Sequence, residues 1–349
     1  MKFGFFLLSP QMERTRSAAD VMADTIALAQ EAESLGFDHL WVSEHHFGSL
    51  SLSPSPLMTL SHLAGRTERI RLGTGVLVLP LHHPMRLAEE VAYVDGLSGG
   101  RLDLGLGAGS HYHEGRGLGV DLKADHDRFL EALDVLDMAL STGRVAFEGE
   151  HFQVPDCPLS IPSTQLPSPP IYVAGMSGDA RVTRRIAKRG YCVFTSLFGP
   201  AAGAPLEKRE AVLQGFDAAG VAREQARFAG QRLIYVAASE DDARDAAVHA
   251  RDTLRLVAAL KAGTAEFTDH FATPPSDVTA PTVEDVLRDT LIGSPARVAE
   301  LLLEDVRLLE LEQLSCFMQF GTLSRDRVIG SMHRFMAEVV PRLNLNSQR

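Results

Sequence analysis

One pattern limits what this chain can fold into more than any other: short apolar runs alternate with amphipathic stretches eight times over. The runs are Phe3 to Leu8, His39 to Ser43, Ile70 to Leu79, Arg101 to Leu106, Ile171 to Ala174, Tyr191 to Thr195, Leu233 to Ala238 and Ser315 to Phe320. Between them, apolar residues recur at helical spacing from Ala19 to Leu35, from Pro56 to Arg66, from Pro84 to Leu97 and from Asp125 to Leu140. The same spacing returns from Gly178 to Lys188, Leu206 to Ala219, Glu240 to Leu260, Ser294 to Leu311 and Arg325 to Val340. Gly36 supplies a helix stop, and Pro84 a first helical turn. Eight strands each followed by a helix predict a parallel sheet with right-handed crossovers, closed into an α/β (β/α)8 TIM barrel. An open doubly wound sheet is the alternative, but no early Gly-x-Gly-x-x-Gly turn supports it. Two insertions interrupt the alternation. The proline-rich excursion 145–170 after the fourth strand carries a small hairpin at Ala146 to Val154, and the segment from Gly263 to Thr282 after the seventh is loop-like.

A barrel of this kind uses about 250 residues and takes insertions as one domain, so 1–349 reads as a single unit. The net charge of −11 opposes a nucleic-acid or anionic-membrane partner, because both select clustered Lys and Arg. Cys157, Cys192 and Cys316 are odd in number and widely spaced, which fits reduced thiols in a cytoplasm. The first eight residues carry one basic residue and too short an apolar run for a secretory signal.

The second strand runs into Glu44-His45-His46-Phe47. Imidazole titrates near neutral pH, so two histidines beside a carboxylate at a barrel rim suit acid–base chemistry. A structural ion pair and a strand cap form the bland alternative. The third strand ends in Gly73-Thr74-Gly75-Val76, where glycine permits close approach of a flat ligand or merely eases packing. His82 and His83 have no third ligand at a recognisable spacing, so no metal is expected. The fourth strand ends in Gly105-Leu106-Gly107-Ala108-Gly109-Ser110, a run able to turn amides toward an anion. Glu114 follows as a second candidate acid–base group. After the fifth strand come Met176, Ser177, Gly178 and Asp179, at a helix start that is either an anion site or a cap.

These residues resemble the bacterial luciferase-like monooxygenase family. The resemblance rests on Met1-Lys2-Phe3-Gly4, Gly36-Phe37-Asp38, Glu44-His45-His46-Phe47, Gly73-Thr74, Val78-Leu79-Pro80 and His83-Pro84. It continues through Asp95-Gly96-Leu97-Ser98-Gly99-Gly100-Arg101, Gln319-Phe320-Gly321 and Ser331-Met332, and it is densest over residues 1–120. It implies a flavin-dependent monooxygenase: reduced FMN from a separate flavin reductase meets O2, and a C4a-(hydro)peroxyflavin oxygenates a small organic substrate. It implies catalytic roles for His45, Glu44, His46 and Glu114, with Glu44 or a neighbour orienting His45. Gly75-Val76 would be a non-proline cis peptide beneath the flavin ring. Ala108, Ser110, Met176, Ser177, Gly178 and Asp179 would lie along the cofactor, the last four around its phosphate. Ala108 departs from the family pattern, standing where luciferase places a phosphate-binding arginine. Residues 260–291 would form a mobile lid. Family members pair through helices beside the second and third strands, so a homodimer is expected; Leu57, Leu60, Leu63, Val91 and Val94 line either that face or the core. An F420-dependent hydride-transfer enzyme and a non-catalytic flavin-binding subunit are the competing readings.

Overall fold

The computed structural model describes residues 1–122, 126–175, 178–197, 204–276 and 281–343. Among them, eight parallel strands close into a ring: β1 (Lys2–Leu7), β2 (His39–Val42), β3 (Arg71–Thr74), β4 (Leu102–Gly107), β5 (Ile171–Ala174), β6 (Cys192–Ser196), β7 (Arg227–Val236) and β8 (Gln313–Phe317). Each strand pairs with the next, and β8 returns to β1 with Lys2 opposite Gln313 and Phe5 opposite Cys316. The chain therefore folds as the (β/α)8 barrel its alternation predicts. The helices that surround it include α1 (Ala18–Ser34), α2 (Pro56–Ala64), α3 (Pro84–Leu97), α4 (His126–Thr142), α5 (Ala180–Arg189), α6 (Ala204–Ala219), α7 (Glu240–Ala262), α8 (Pro295–Leu309) and α9 (Arg325–Arg334).

Local chemistry sets the helix ends. Ser17 and Asp20 form a reciprocal capping box on α1, and Pro56 and Pro84 occupy first turns where a missing N–H costs nothing. Leu57, Leu60, Leu63, Val91 and Val94 are buried in the core, so they do not form an exposed pairing face. Trp41 fills the barrel and is fully buried, with Tyr172 and Phe194 against it at centroid distances of 5.0 and 5.1 Å. Its neighbours must be small: a Cβ at Gly73 would lie 2.4 Å from the indole, and one at Gly4 2.7 Å. Gly73 therefore makes room for the core.

Several boundaries differ from expectation for physical reasons. β3 stops at Thr74 and resumes at Leu77–Val78, with the cis Gly75–Val76 peptide between them. β7 begins at Arg227, six residues before its apolar run, since Gln231 and Arg232 are buried polar residues. Asp305 accepts from Arg232 Nε at 2.6 Å and Nη2 at 3.0 Å, which permits that burial. The helix expected to reach Val340 loosens after Arg334 into a π turn, Phe335–Val339. The hairpin in the excursion is longer than expected, Arg144–Glu148 paired with Gln153–Pro158. The excursion ends against the N-terminal side of the barrel, where Asp95 accepts from the Thr164 and Gln165 amides at 2.8 and 2.9 Å.

The segment after α7 is more structured than a loop. A hairpin, Glu266–Thr268 with Phe271–Thr273, is followed by a short helix, Val283–Asp289, and by Leu291–Gly293, which pairs with β7 outside the ring. The hairpin sits on loops that follow β1 and β2. His270 Nε2 donates to Gln11 Oε1 at 2.7 Å, and the Ala272 amide donates to Ser49 Oγ at 3.2 Å. No helix among the described residues is long and apolar enough to cross a membrane.

Candidate active site at the carboxyl rim

β2 delivers Glu44, His45 and His46 to the C-terminal end of the barrel, the end where this architecture places its chemistry. Glu114 arrives from β4 on a short helix, Tyr112–Gly117. Both carboxylates are buried, and each gathers imidazoles. His45 Nδ1 donates to Glu114 Oε1 at 2.9 Å, His111 Nδ1 lies 3.4 Å from the same oxygen, and the His46 amide donates to it at 3.3 Å. The His45 and His111 rings stack with centroids 4.8 Å apart. Glu44 Oε1 accepts from His46 Nε2 at 3.0 Å and His82 Nε2 at 2.8 Å, while its Oε2 accepts from the Val78 amide at 2.7 Å. His45 is thus oriented by Glu114 and not by Glu44, which instead ties the loop after β2 to the segment after β3.

Burial and pairing compete over these charges. Burial raises Glu114, but the hydrogen bonds and charges of His45 and His111 outweigh it and hold the carboxyl well below its usual range. The same contest, won by His46 and His82, lowers Glu44. His46 is raised chiefly by its bond to Glu44, against the opposing effect of burial. His111 falls to about 4, because burial outweighs the attraction of Glu114. His111 is therefore neutral near pH 7, beside the Glu114 carboxylate.

A cavity of about 790 Å³ opens beside this network, within the range of ligand and cofactor sites. His45, His111, Gly75, Val76, Ala108, Ser110, Gly178 and Asp179 line it, whereas Glu44, His46 and Glu114 stand behind the wall. Met176 and Ser177 lie outside the described residues. Asp179 caps α5, accepting from the Arg181 amide at 2.8 Å and pairing with the Arg181 guanidinium at 2.8 Å. Its carboxylate thus takes up donors that an anion at this helix start would need. His111, His113 and His82 belong to the networks yet carry no distinguishing sequence signal. His83, by contrast, packs edge-on against Phe152 at 5.8 Å. His45, His111 and Glu114 could together hold a metal, their donor atoms lying within 4.8 Å of one another. Their mutual hydrogen bonding already satisfies them without one.

A closed barrel with a buried carboxylate–imidazole pair at its carboxyl rim, facing a roomy glycine-walled cavity, defines a barrel enzyme that binds an extended ligand there. Residues 1–310 match the model of the luciferase-like monooxygenase family. The uncharacterized protein y4vJ of Sinorhizobium fredii is 32% identical over 98% of this chain and 97% of its own length. The oxygenase component of the flavin-dependent trigonelline monooxygenase of Acinetobacter baylyi is 32% identical, but over 50% of this chain and 49% of that one. Solved structures share the fold. Monooxygenase RslO1 of Streptomyces bottropensis has a TM-score of 0.84 at 23% identity, covering 98% of this chain and 99% of its own. The oxygenating constituent of 3,6-diketocamphane monooxygenase of Pseudomonas putida, in complex with FMN, has 0.76 at 20%, covering 98% of both. An F420-dependent secondary alcohol dehydrogenase has 0.74 at 17%, covering 98% and 99%. This chain belongs to the luciferase-like monooxygenase family. Its enzyme class is that of the flavin-dependent monooxygenases.

The cavity fits a flavin. A Cβ at Gly107 would stand 2.7 Å from the Val76 side chain, so the wall at the cis peptide stays flat only with glycine there. Gly175 and Gly178 would meet nothing within 4 Å, which leaves backbone open to a ligand beside α5. Phe6, Leu8, Phe194 and Phe317 make part of the wall apolar, as an aromatic ring system requires.

Proposed function

We propose that this protein is the oxygenase component of a two-component monooxygenase, taking reduced FMN from a separate flavin reductase and using O2 to oxygenate a small organic substrate. The observation that carries the reading is the Glu114–His45 pair, set in the wall of the cavity that also contains the Gly75–Val76 peptide. Bound reduced flavin supplies the oxygen chemistry, and the protein supplies position and proton control. Glu114 holds His45 Nδ1, which fixes the tautomer and leaves Nε2 with no protein partner among the described residues. His45 Nε2 is the atom that gives and takes the proton, and the Glu114 carboxylate stabilises the imidazolium in between. Gly75, Val76, Ala108, Ser110, Gly178 and Asp179 position the cofactor.

The described residues of the segment 260–291, namely 260–276 and 281–291, act as the lid. Its hairpin packs on the histidine cluster beside the cavity, the Phe267 ring lying 4.9 Å from that of His113, so closure there excludes water from the reacting centre. Met58, Tyr93 and Leu97 are exposed large apolar residues on α2 and α3, and they supply a face for a homodimer.

Because F420-dependent enzymes share this barrel, cofactor choice is decided by binding. Anaerobic titration with reduced FMN and with reduced F420 should show the former preferred, and admitting air should consume O2. Preference for F420 without oxygen uptake assigns hydride transfer instead. Flavin binding without substrate oxygenation across a screen points to an accessory flavoprotein.

A further inference from the structure

The cavity is positively charged in an acidic protein. Of the described side chains lining it, Arg181, Lys208, Arg209 and Lys261 carry fixed positive charge and Asp179 alone among the described residues carries fixed negative charge, while the whole chain sums to −11. Two of the four cations are neutralised within the protein. Arg181 pairs with Asp179 and Asp127, and Arg209 pairs with Glu310. Lys208, near the start of α6, and Lys261, in the last turn of α7, have neither an ion pair nor a hydrogen bond among the described residues. Both are exposed residues that line the same cavity, and the Lys261 ammonium is pushed down first by desolvation and then by the charge of Lys208. The C-terminal end of a helix favours a cation such as Lys261, which explains its place on α7 but not why a second lysine shares the cavity. Two unpaired like charges across one space are relieved by a counter-ion between them.

We propose that Lys208 and Lys261 form an anion-binding pole of the cavity, and that its ligand presents an oxyanion, a phosphate or a carboxylate, to that pole. The other walls define the rest of the ligand. Phe6, Leu8, Phe194 and Phe317 surround an apolar or aromatic body. The ligand class is therefore an organic anion with an apolar body. Ala108 contributes no charge to the rim, so these lysines supply the cationic charge that the rim around Ala108 lacks. The inference rests on the charges of the cavity and does not require that flavin be the cofactor.

The test is calorimetric titration of the flavin-free protein with inorganic phosphate and, separately, with octanoate. The proteins compared are the wild type, Lys208→Gln/Lys261→Gln and Lys208→Arg/Lys261→Arg, with circular dichroism to verify folding. The proposal expects at least one of the two anions to bind the wild type, and its affinity to fall about tenfold or more in the glutamine variant. The arginine variant, which keeps both charges, should bind within about threefold of the wild type. Preference for phosphate assigns the pole to a phosphate ester of the kind a flavin nucleotide carries; preference for octanoate assigns it to an organic acid. Binding of neither anion by the wild type, or equal binding by wild type and glutamine variant, overturns the proposal. Because no flavin is present, a failed flavin titration and a failed anion titration are separate results.

Discussion

Glu44 and Glu114 are two buried glutamates at one barrel rim, each gathering two imidazoles and one backbone amide, and they do different things. The imidazoles on Glu114, His45 and His111, line the cavity. Those on Glu44, His46 and His82, do not, and their carboxylate reaches the Val78 amide to fasten two loops together. Adjacent histidines thus belong to opposite networks, because consecutive side chains leaving a strand point to opposite sides. The lesson is that residue type and pairing chemistry do not separate a working site from a clasp; what separates them is whether a ring nitrogen is left facing space.

The largest expected effect falls on the cavity side. His45→Ala should lower product formed per reduced FMN supplied by about 100-fold or more, with a matching rise in hydrogen peroxide released, while stability to urea changes by about 1 kcal/mol or less. Glu44→Ala should do the reverse. It leaves His46, His82 and the Val78 amide unpaired and should cost about 3–5 kcal/mol in urea unfolding, with activity of the folded fraction changed only a few-fold. A large activity loss in a Glu44 variant of normal stability would break the comparison.

Acid unfolding sharpens it. An unfolded His111 takes its proton near 6.5 and the native one only near 4, so unfolding takes up a proton between those values. Its contribution to stability should therefore fall as pH drops from 6.5 to about 4, by roughly 3 kcal/mol at most. His46 has the opposite sign. Its raised value gives stability that is fully present below 6.5 and is lost as pH rises through the native value. His111→Asn should flatten the acid limb of a stability–pH profile, and His46→Asn should flatten the decline above pH 6.5. The smallest effect belongs to His82→Ala, which removes one of the bonds to Glu44 and should cost about 1–2 kcal/mol without changing the affinity for reduced FMN, measured by anaerobic titration.

Much of the barrel was legible because its strands are unbroken apolar runs and its helices begin at proline, serine or aspartate. α3 begins and ends at the residues its proline and its period indicate, Pro84 and Leu97. Legibility failed where burial was polar or strands were exposed. The first six residues of β7 include Gln231 and Arg232, whose burial depends on partners such as Asp305, 73 residues from Arg232. The hairpin strand Glu266–Thr268 is exposed throughout and so has no alternation to read. In the site, Glu44-His45-His46 was visible as a constellation, but its wiring was not. His45 meets Glu114 across 69 residues of sequence, and His82 meets Glu44 across 38. No local motif marks His111, Lys208 or Lys261, since each acquires its surroundings only when separate rim segments converge.

The central claim is that the Glu114 network serves the cavity and the Glu44 network serves the fold. The most direct measurement is nitrogen NMR of the protein labelled with ¹⁵N in its histidine rings, titrated anaerobically with reduced FMN and assigned with single His→Asn variants. The account predicts that ring nitrogens of His45 and His111 shift in step with flavin saturation while those of His46 and His82 hold still. Flavin binding that moves His46 and His82 and leaves His45 and His111 unchanged would contradict it.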